Sequence, residues 1–268
     1  MCPTLFRIGS FEAKSFSLMI LIGIGLAIWL GARRTRLYGL DPSRVMDSSM
    51  WMVVLGVLGA RIAFIIQDWD FFAKNPQHLW TFKFEGLTSF GGFILGFVGL
   101  VIYCFRAKVS LLSMMDVLGV PLLVANAIGR LGCLLNGCCY GVATTGPLGV
   151  HFHGEPGTHL PAQLIDFSLC LLGAGLVARW EKKKTGRAGQ SAGLALVMLG
   201  LSRFVYEFWR MGSVEEVQKG LASSTRIGSL PFTEAHVVAL IISLTGAGLY
   251  FLSRKRAEST LATTMEAS

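Results

Sequence analysis

The sequence predicts an all-α integral membrane protein, a bundle of about seven transmembrane helices with its N-terminus outside and its C-terminus cytoplasmic. Hydrophobic residues make up 53% of the 268 residues and charged residues only 15%, whereas a soluble domain carries about 25% charged residues. The mean hydropathy is +0.58. Apolar runs of about 20 residues cross a bilayer as helices, because lipid offers the backbone no hydrogen-bond partner. We expect one transmembrane domain over residues 1–268, with residues 253–268 as a short cytoplasmic tail.

The apolar residues fall into seven segments, each long enough to approach the thickness of a bilayer. The fourth segment also carries Asp116, Pro121 and Asn126, which leaves open a partly re-entrant structure there. The first is expected to be a retained span, because no charged stretch followed by a short apolar core precedes it. The predicted segments are Phe16–Leu30, Ser49–Ile66, Leu87–Phe105, Leu112–Leu131, Ala162–Ala178, Ala192–Trp209 and Ala235–Leu252.

The charges of the connecting loops alternate along the chain. The loops after the first, third and fifth segments and the C-terminal tail are basic, and the fourth loop, Gly132–Leu160, has no Lys or Arg. Basic loops stay on the cytoplasmic side, so we expect the even loops outside. The net charge of +8 is therefore explained by topology, with the lipid bilayer as a partner, and nucleic acid is not expected as one.

Several ionisable residues lie within the apolar segments or at their ends, namely Arg61, Asp116, Arg130, Asp166, Arg203, Glu207 and Arg210. A charge near mid-bilayer costs roughly 2.5 kcal/mol or more, so it usually faces a protein interior or a water-filled cavity. Spacings of four and three place Arg203, Glu207 and Arg210 on one helix face. With Arg130 and Asp166 they would form a net-positive cavity, and Arg is suited to gripping a phosphate through a bidentate fork. The alternative is structural pairing of Arg203 with Glu207 and of Arg130 with Asp166.

The densest motif runs from Gly129 to Gly141 and reads GRLGCLLNGCCYG. Its four glycines permit tight turns and close approach of a ligand. Such a glycine run at the end of an apolar segment suggests a broken or re-entrant helix, which is tolerated at membrane depth only where it lines a cavity. The segment resembles the Gly-Arg-x-Gly-Asn-Phe-x-Asn-Gly-Glu-x-x-Gly motif of the bacterial prolipoprotein diacylglyceryl transferases.

Further motifs resemble that family in the same order along the chain. They are Gly59-Ala60-Arg61-Ile62, Ser89-Phe90-Gly91-Gly92, Pro161-Ala162-Gln163-Leu164-Ile165-Asp166 and Arg203-Phe204-Val205-Tyr206-Glu207-Phe208-Trp209-Arg210. The family also has seven spans with the N-terminus outside. The resemblance implies transfer of the diacylglyceryl group of phosphatidylglycerol to the lipobox cysteine of a prolipoprotein signal peptide, with release of glycerol-1-phosphate.

The resemblance also implies the site residues, and it implies no cofactor and no metal. Arg130, Arg203 and Glu207 are the expected catalytic residues. Arginines at these positions would stabilise the charge that builds on the departing phosphate. The expected substrate-binding residues are Arg130, Arg203, Arg210, Gly91, Gly92, Asn136, Gly141, Gln163, Asp166 and Arg61.

The chain departs from the family pattern at the positions that could carry a proton. Phe90 stands where the family has a histidine, and Leu199 and Phe16 stand where it has tyrosines. Cys133 replaces an asparagine of the Gly-Arg motif and Cys138 replaces its glutamate. The incoming thiol is a weak nucleophile until it is deprotonated, so the general base is left unidentified.

Cys133, Cys138 and Cys139 form a cluster whose role the sequence leaves open. One alternative is a disulfide between Cys133 and Cys138, since the external face can be oxidising. Inert packing and a low-pKa thiolate beside Arg130 are the others. A metal site is the less favoured interpretation, because no fourth ligand is obvious nearby. Cys104 and Cys170, inside spans, are interpreted as small apolar fillers.

Histidines of the fourth loop could replace the missing base, although loop histidines are more often solvated. They are His151, His153 and His159. Two functions of other classes compete with the transferase. One is a non-catalytic anionic-lipid-binding protein or transporter that kept the headgroup pocket. The other is a thiol-redox membrane protein built on the same scaffold.

Overall fold

The structure is a computed structural model that describes residues 4–8, 11–77, 89–152, 156–182, 188–210 and 232–266. A short antiparallel hairpin comes first, formed by β1 (Thr4–Ile8) and β2 (Phe11–Lys14). The all-α expectation did not include this hairpin. All other named elements of the described chain are helical.

Seven longer α-helices, one short α-helix and a 3₁₀ turn at Thr35–Leu37 follow the hairpin. The short helix, α3, lies in the loop after the second apolar segment. The helices are α1 (Ser15–Arg34), α2 (Pro42–Gln67), α3 (Trp69–Lys74), α4 (Ser89–Ala107), α5 (Leu111–Asn136), α6 (Ala162–Glu181), α7 (Gln190–Glu207) and α8 (Glu234–Glu266).

Each predicted apolar segment falls on one of the longer helices, although Phe208 and Trp209 of the sixth segment lie just beyond its helix. Leu87 and Thr88 lie outside the described residues. Among the described residues, five stretches are long and apolar enough to cross a membrane, and Gly91–Ala107 is a shorter apolar helix. These findings confirm a multi-pass helical membrane protein; the count of seven spans and the orientation of the termini remain predictions. The fourth segment is one continuous helix with Pro121 inside it, so the re-entrant alternative for Leu112–Leu131 is wrong.

The helices belong to two compact units, and Ala32–Met114 forms one of them. In this unit α2 packs against α4 through glycines. A Cβ added to Gly91 would overlap the carbonyl oxygen of Gly59, and one added to Gly92 would lie 3.4 Å from the carbonyl oxygen of Gly56. Small residues allow membrane helices to approach at backbone distance, and these glycines serve that purpose.

The other unit comprises Met1–Gly31 and Met115–Ser268. Its core includes a cluster of small and branched side chains from α5, α6 and α7: Val120, Leu123, Ala174, Val177 and Ala195. Helix α8 approaches α7 closely, since a Cβ on Gly193 would lie 2.7 Å from the carbonyl oxygen of Gly246. Single-domain organisation over the whole chain remains a prediction.

Asp116 of α5 fixes the start of α7. Its carboxylate accepts hydrogen bonds from the backbone N–H groups of Gly189, at 2.6 Å, and Ala192, at 2.7 Å. A carboxylate here satisfies unpaired N–H groups and opposes the positive end of the helix dipole. Because α7 rises about 1.5 Å per residue, Asp116 lies about 26 Å from Glu207 at the other end. The sequence grouped Asp116 with the other buried charges, and the structure separates it from them.

Candidate functional site

The end of α5 is shaped by a Schellman motif. The N–H of Cys138 donates to the carbonyl of Cys133 at 3.0 Å, and the N–H of Gly137 donates to that of Leu134 at 3.2 Å. Gly137 has φ +75°, the left-handed conformation that this motif places just after a helix and that glycine adopts without strain. The turn reverses the chain, so that Cys138 returns beside the last turn of α5.

Arg130, near the end of α5, forms an ion pair with a carboxylate of α6. Its Nε lies 2.6 Å from Oδ2 of Asp166. Glu207, at the end of α7, lies between two arginines, with its Oε2 3.0 Å from Nη2 of Arg203 and 3.8 Å from Nη1 of Arg210. Both structural pairs that the sequence suggested are therefore formed. Three guanidinium groups nevertheless surround two carboxylates, which leaves this cluster with one net positive charge.

The acidic side chains of this cluster are more deeply buried than its arginines. The side chains of Asp166 and Glu207 are 1% and 0% exposed, whereas those of Arg130, Arg203 and Arg210 are 15%, 25% and 14% exposed. The carboxylates are thus the deepest part of the cluster, and the arginine side chains are its more exposed part. Each guanidinium carries five N–H donors, more than one carboxylate can accept. The arrangement is suited to receiving an anion from the accessible side.

Tyr206 lies at the centre of the cluster. The guanidinium carbons of Arg130 and Arg203 are 4.8 Å and 5.1 Å from the centre of its ring, within the range of cation–π attraction. The fully buried hydroxyl donates to the carbonyl oxygen of Cys139 at 3.1 Å. Sequence reasoning missed this residue. The available signal was its position within the Arg203–Arg210 motif, three residues after Arg203 and therefore on the same helix face.

Gln163 of α6 binds the backbone of the turn at Cys138, next to the carbonyl of Cys139 that Tyr206 binds. Its Nε2 donates to the carbonyl oxygen of Cys138 at 2.7 Å. The side chain is fully buried, and its Oε1 has no hydrogen-bond partner among the described residues. Buried polar atoms are normally paired, so this oxygen is available to accept a further hydrogen bond. Asn136, the last residue of α5, makes a side-chain hydrogen bond with Cys138.

Gly141 allows three backbone segments to meet beside the cluster. Its N–H donates to Leu160 at 2.8 Å, and the next N–H, of Val142, donates to Trp209 at 2.8 Å. A Cβ at Gly141 would lie 2.7 Å from the carbonyl oxygen of Trp209, closer than real Cβ contacts. Gly141 also pairs with Arg210 in a β-bridge, so it positions the chain that carries this arginine.

The three cysteines of the motif lie together beside the arginines. The sulfur atoms of Cys133, Cys138 and Cys139 all lie within 4.8 Å of one another. All three are free thiols, so the disulfide considered for Cys133 and Cys138 is not formed. Hydrogen bonds from the Cys133 and Cys138 thiols, followed by the charges of Arg210 and Arg130, hold the pKa of Cys139 below its ordinary value, although burial opposes them.

Cys170 takes part in a polar network, and its interpretation as an apolar filler is wrong. Asn126 donates to its sulfur at 3.1 Å, the thiol lies 3.5 Å from Oδ1 of Asp166, and it lies 3.3 Å from the hydroxyl of Ser202. Because Asp166 also pairs with Arg130, this buried network supports the arginine cluster from behind. Cys104 is also buried, with 3% of its surface exposed.

Three of the predicted substrate-binding residues belong to the other compact unit. Arg61 is buried on α2, with its guanidinium carbon 5.4 Å from the ring centre of Phe72. Gly91 and Gly92 lie at the contact between α2 and α4. Contact of these three residues with a substrate remains a prediction.

Two of the three candidate replacement bases, His151 and His159, lie within the described residues, and their surroundings do not favour a role as base. His159 places its ring nitrogens 3.2 Å from the carbonyl oxygens of Gly141 and Pro156, which gives it a role in holding the loop. His151 is exposed, and His153 lies outside the described residues. Leu199 packs against the apolar core of its unit.

Comparison with known proteins identifies relatives over nearly the whole chain. A family profile described as prolipoprotein diacylglyceryl transferase matches residues 3–252. Two Dehalococcoides mccartyi proteins are 30% identical over 267 residues, covering 96% of both chains, and 31% identical over 263 residues, covering 95% of this chain and 94% of the relative. A Clostridium tetani protein is 27% identical over 219 residues, covering 78% and 86%. All three relatives are named phosphatidylglycerol–prolipoprotein diacylglyceryl transferase.

Proposed function

The chain belongs to the prolipoprotein diacylglyceryl transferase family, and we propose that it moves the diacylglyceryl group of phosphatidylglycerol to the lipobox cysteine of prolipoproteins in the bacterial inner membrane. Glycerol-1-phosphate is the leaving group. The observation that carries the proposal is the layered cluster of three accessible arginines over two buried carboxylates. Its single excess positive charge is matched to the single negative charge of a phosphodiester.

The reaction substitutes sulfur for oxygen at the glyceryl carbon that bears the phosphate. The acceptor thiol releases its proton to water and its sulfur forms the new C–S bond while the C–O bond breaks, and the electron pair of that bond passes to the phosphate oxygen. The phosphate gains a second negative charge in this step. Arg130, Arg203 and Arg210 would stabilise that charge more strongly in the transition state than in the bound lipid, which is the condition for acceleration.

The remaining residues are assigned as positioning and binding residues. Glu207 and Asp166 fix the guanidinium groups, so that no reorganisation is needed when charge develops. The Oε1 of Gln163 would accept a hydrogen bond from a hydroxyl of the glycerol headgroup. Asn136 and Gly141 would line the same pocket through the turn that they shape.

The test is transfer of labelled diacylglyceryl from phosphatidylglycerol vesicles to a lipobox peptide by the reconstituted full chain. Arg130→Lys keeps a positive charge beside Asp166 but loses the planar fork, and we expect kcat to fall about 100-fold or more. Arg179→Ala is the matched control. Arg179 is an exposed arginine at the other end of the helix that carries Asp166, and its loss should leave the rate unchanged.

The competing lipid-binding function predicts a different outcome of the same experiment. Tight binding of phosphatidylglycerol without transfer by the wild-type chain would favour a non-catalytic protein with the same pocket. Equal rates for the wild-type and Arg130→Lys chains would refute the assigned role of the arginine cluster.

A further inference from the structure

We propose that Cys133, Cys138 and Cys139 form a zinc site with three thiolate ligands, and that its fourth position takes the acceptor thiol. This inference rests on the proposed transferase function and supplies the activation of the acceptor thiol, for which no base has been assigned among the described residues. Phe90, Leu199 and Phe16 cannot remove a proton from a thiol, and His159 directs both of its ring nitrogens toward backbone carbonyl oxygens.

The geometry of the three sulfur atoms fits one ion. Zinc binds thiolate sulfur at about 2.3 Å, so three sulfurs in tetrahedral positions lie about 3.8 Å apart. The three sulfur atoms lie within 4.8 Å of one another, so they need to draw together by about 1 Å at most. No fourth His, Cys, Asp or Glu joins the group in the part of the chain that the structure describes. Structural zinc sites use four protein ligands, whereas catalytic sites use three.

The backbone holds the three cysteines in place before any ion binds. The Schellman turn at Gly137 brings Cys138 beside Cys133. Cys139 has φ +62°, a left-handed conformation that is uncommon for a residue with a side chain and that marks functional sites when surrounding contacts enforce it. The hydroxyl of Tyr206 enforces it here at the carbonyl of Cys139, and Gln163 fixes the carbonyl of Cys138.

The chemistry agrees with a zinc ion. Thiolate ligands select soft ions such as zinc, and the reaction changes no oxidation state, so it needs no redox-active metal. A thiol that binds such an ion is deprotonated outright.

The proposed step is balanced. The acceptor thiol binds zinc through sulfur and releases its proton to water. The zinc-bound thiolate then attacks the glyceryl carbon, the C–S bond forms, and the C–O bond to phosphate breaks. The product thioether is a weaker ligand than a thiolate, so it leaves and the position is free for the next peptide.

The first experiment measures metal binding without reference to catalysis. The reduced, tag-free full chain in detergent is titrated with Co²⁺, whose thiolate charge-transfer and ligand-field absorption report sulfur ligands and tetrahedral geometry. One equivalent should bind, and Zn²⁺ should displace it. Cys133→Ser, Cys138→Ser and Cys139→Ser should each weaken binding more than about 100-fold, since loss of a second-sphere partner alone costs about 10–100-fold. Cys104→Ser, in the other compact unit, is the matched control and should bind normally.

A second measurement covers the case in which the serine variants do not fold. Zn²⁺ should protect the three cysteines of the wild-type chain from alkylation by N-ethylmaleimide, with each site followed by mass spectrometry. Unchanged alkylation at saturating Zn²⁺, or a stable disulfide among the three under reducing conditions, would overturn the proposal.

The acceptor is tested on the cobalt-loaded chain. A lipobox peptide should shift the ligand-field bands, and the same peptide with serine in place of cysteine should not. Full transfer activity after complete removal of the metal would overturn the catalytic role. A chain that binds cobalt and the peptide thiol but transfers nothing from phosphatidylglycerol would support the zinc site and refute the donor assignment instead.

Discussion

Glu207 holds two arginines of the cluster in place through ion pairs, and its replacement by glutamine tests the effect of its charge on stability and on the transfer rate. Glutamine keeps the shape of the side chain and removes its charge. Glu207 faces Arg203 at 3.0 Å and Arg210 at 3.8 Å, which puts the charge centres about 4 and 5 Å apart. At an effective dielectric constant of 20, these attractions are each about 3–4 kcal/mol. Relief of carboxylate desolvation offsets part of the loss, and breaking a buried pair costs about 3–5 kcal/mol in measured cases.

We therefore expect Glu207→Gln to lower the free energy of unfolding by about 3–5 kcal/mol. The two arginines lose their fixed positions, and a displacement of 1 Å can cost about 100-fold in rate. Unfolding is followed by denaturant titration in mixed micelles, and transfer is measured against the mole fraction of phosphatidylglycerol in vesicles. The rate per folded molecule should fall about 100-fold.

Asp116→Asn is the matched control, because Asp116 is also a buried carboxylate associated with α7. It lies at the opposite end of that helix, and weakening its cap should cost about 1 kcal/mol of stability. The rate per folded molecule should stay unchanged. If Glu207→Gln retained the wild-type rate, or if Asp116→Asn lowered the rate as much, the assigned role of Glu207 would be refuted.

Three further substitutions separate the parts of the site. Tyr206→Phe keeps the ring between the guanidinium groups but leaves the carbonyl of Cys139 without its donor. The free energy of unfolding in denaturant should fall by about 1–3 kcal/mol, and the affinity for Co²⁺ should fall about 10–100-fold. Unchanged Co²⁺ affinity would contradict the role of the Tyr206 hydroxyl in placing Cys139. Gly141→Ala should destabilise the chain by about 1–3 kcal/mol and slow transfer, because its Cβ would meet a backbone oxygen; a fully active, equally stable variant would exclude this crowding. Gly91→Leu should separate α2 from α4 and lower thermal stability while Co²⁺ binding persists. Loss of Co²⁺ binding in the folded variant would contradict the independence of the cysteine site from the packing of α2 on α4.

The helices could be predicted because lipid leaves the chain few alternatives. Runs such as Phe16–Leu30 and Ala162–Ala178 contain few charges, and a backbone in hydrocarbon must satisfy its own hydrogen bonds. The end of α5 was placed too early, at Leu131, because Gly132 resembled a break. The helix continues to Asn136, since Gly132 packs against Met19 and only Gly137 adopts the left-handed conformation.

The charged part of the site was also predictable, because an arginine or a carboxylate in an apolar run needs a partner. The pairs of Arg130 with Asp166 and of Arg203 with Glu207 follow from that requirement. Tyr206 and Gln163 were not assigned their contacts, because each bonds a backbone carbonyl and carbonyl positions depend on the path of the chain. The convergence of three sulfur atoms likewise depends on the turn at Gly137, which sequence spacing alone does not describe.

Tyr206 contacts both the arginines and the cysteine turn, and this has a consequence for how the two substrates bind. The same ring contacts Arg130 and Arg203 and, through its hydroxyl, fixes the carbonyl of Cys139. A bound phosphate that draws the two guanidinium groups outward would shift the Tyr206 ring that they contact. Because the hydroxyl of that ring holds the carbonyl of Cys139, the shift would also move the thiols. Binding of the lipid and binding of the peptide then become energetically linked, and linkage is reciprocal, so each ligand alters the affinity of the other by the same factor. Double-reciprocal plots should intersect, and Tyr206→Leu should make the two binding events independent.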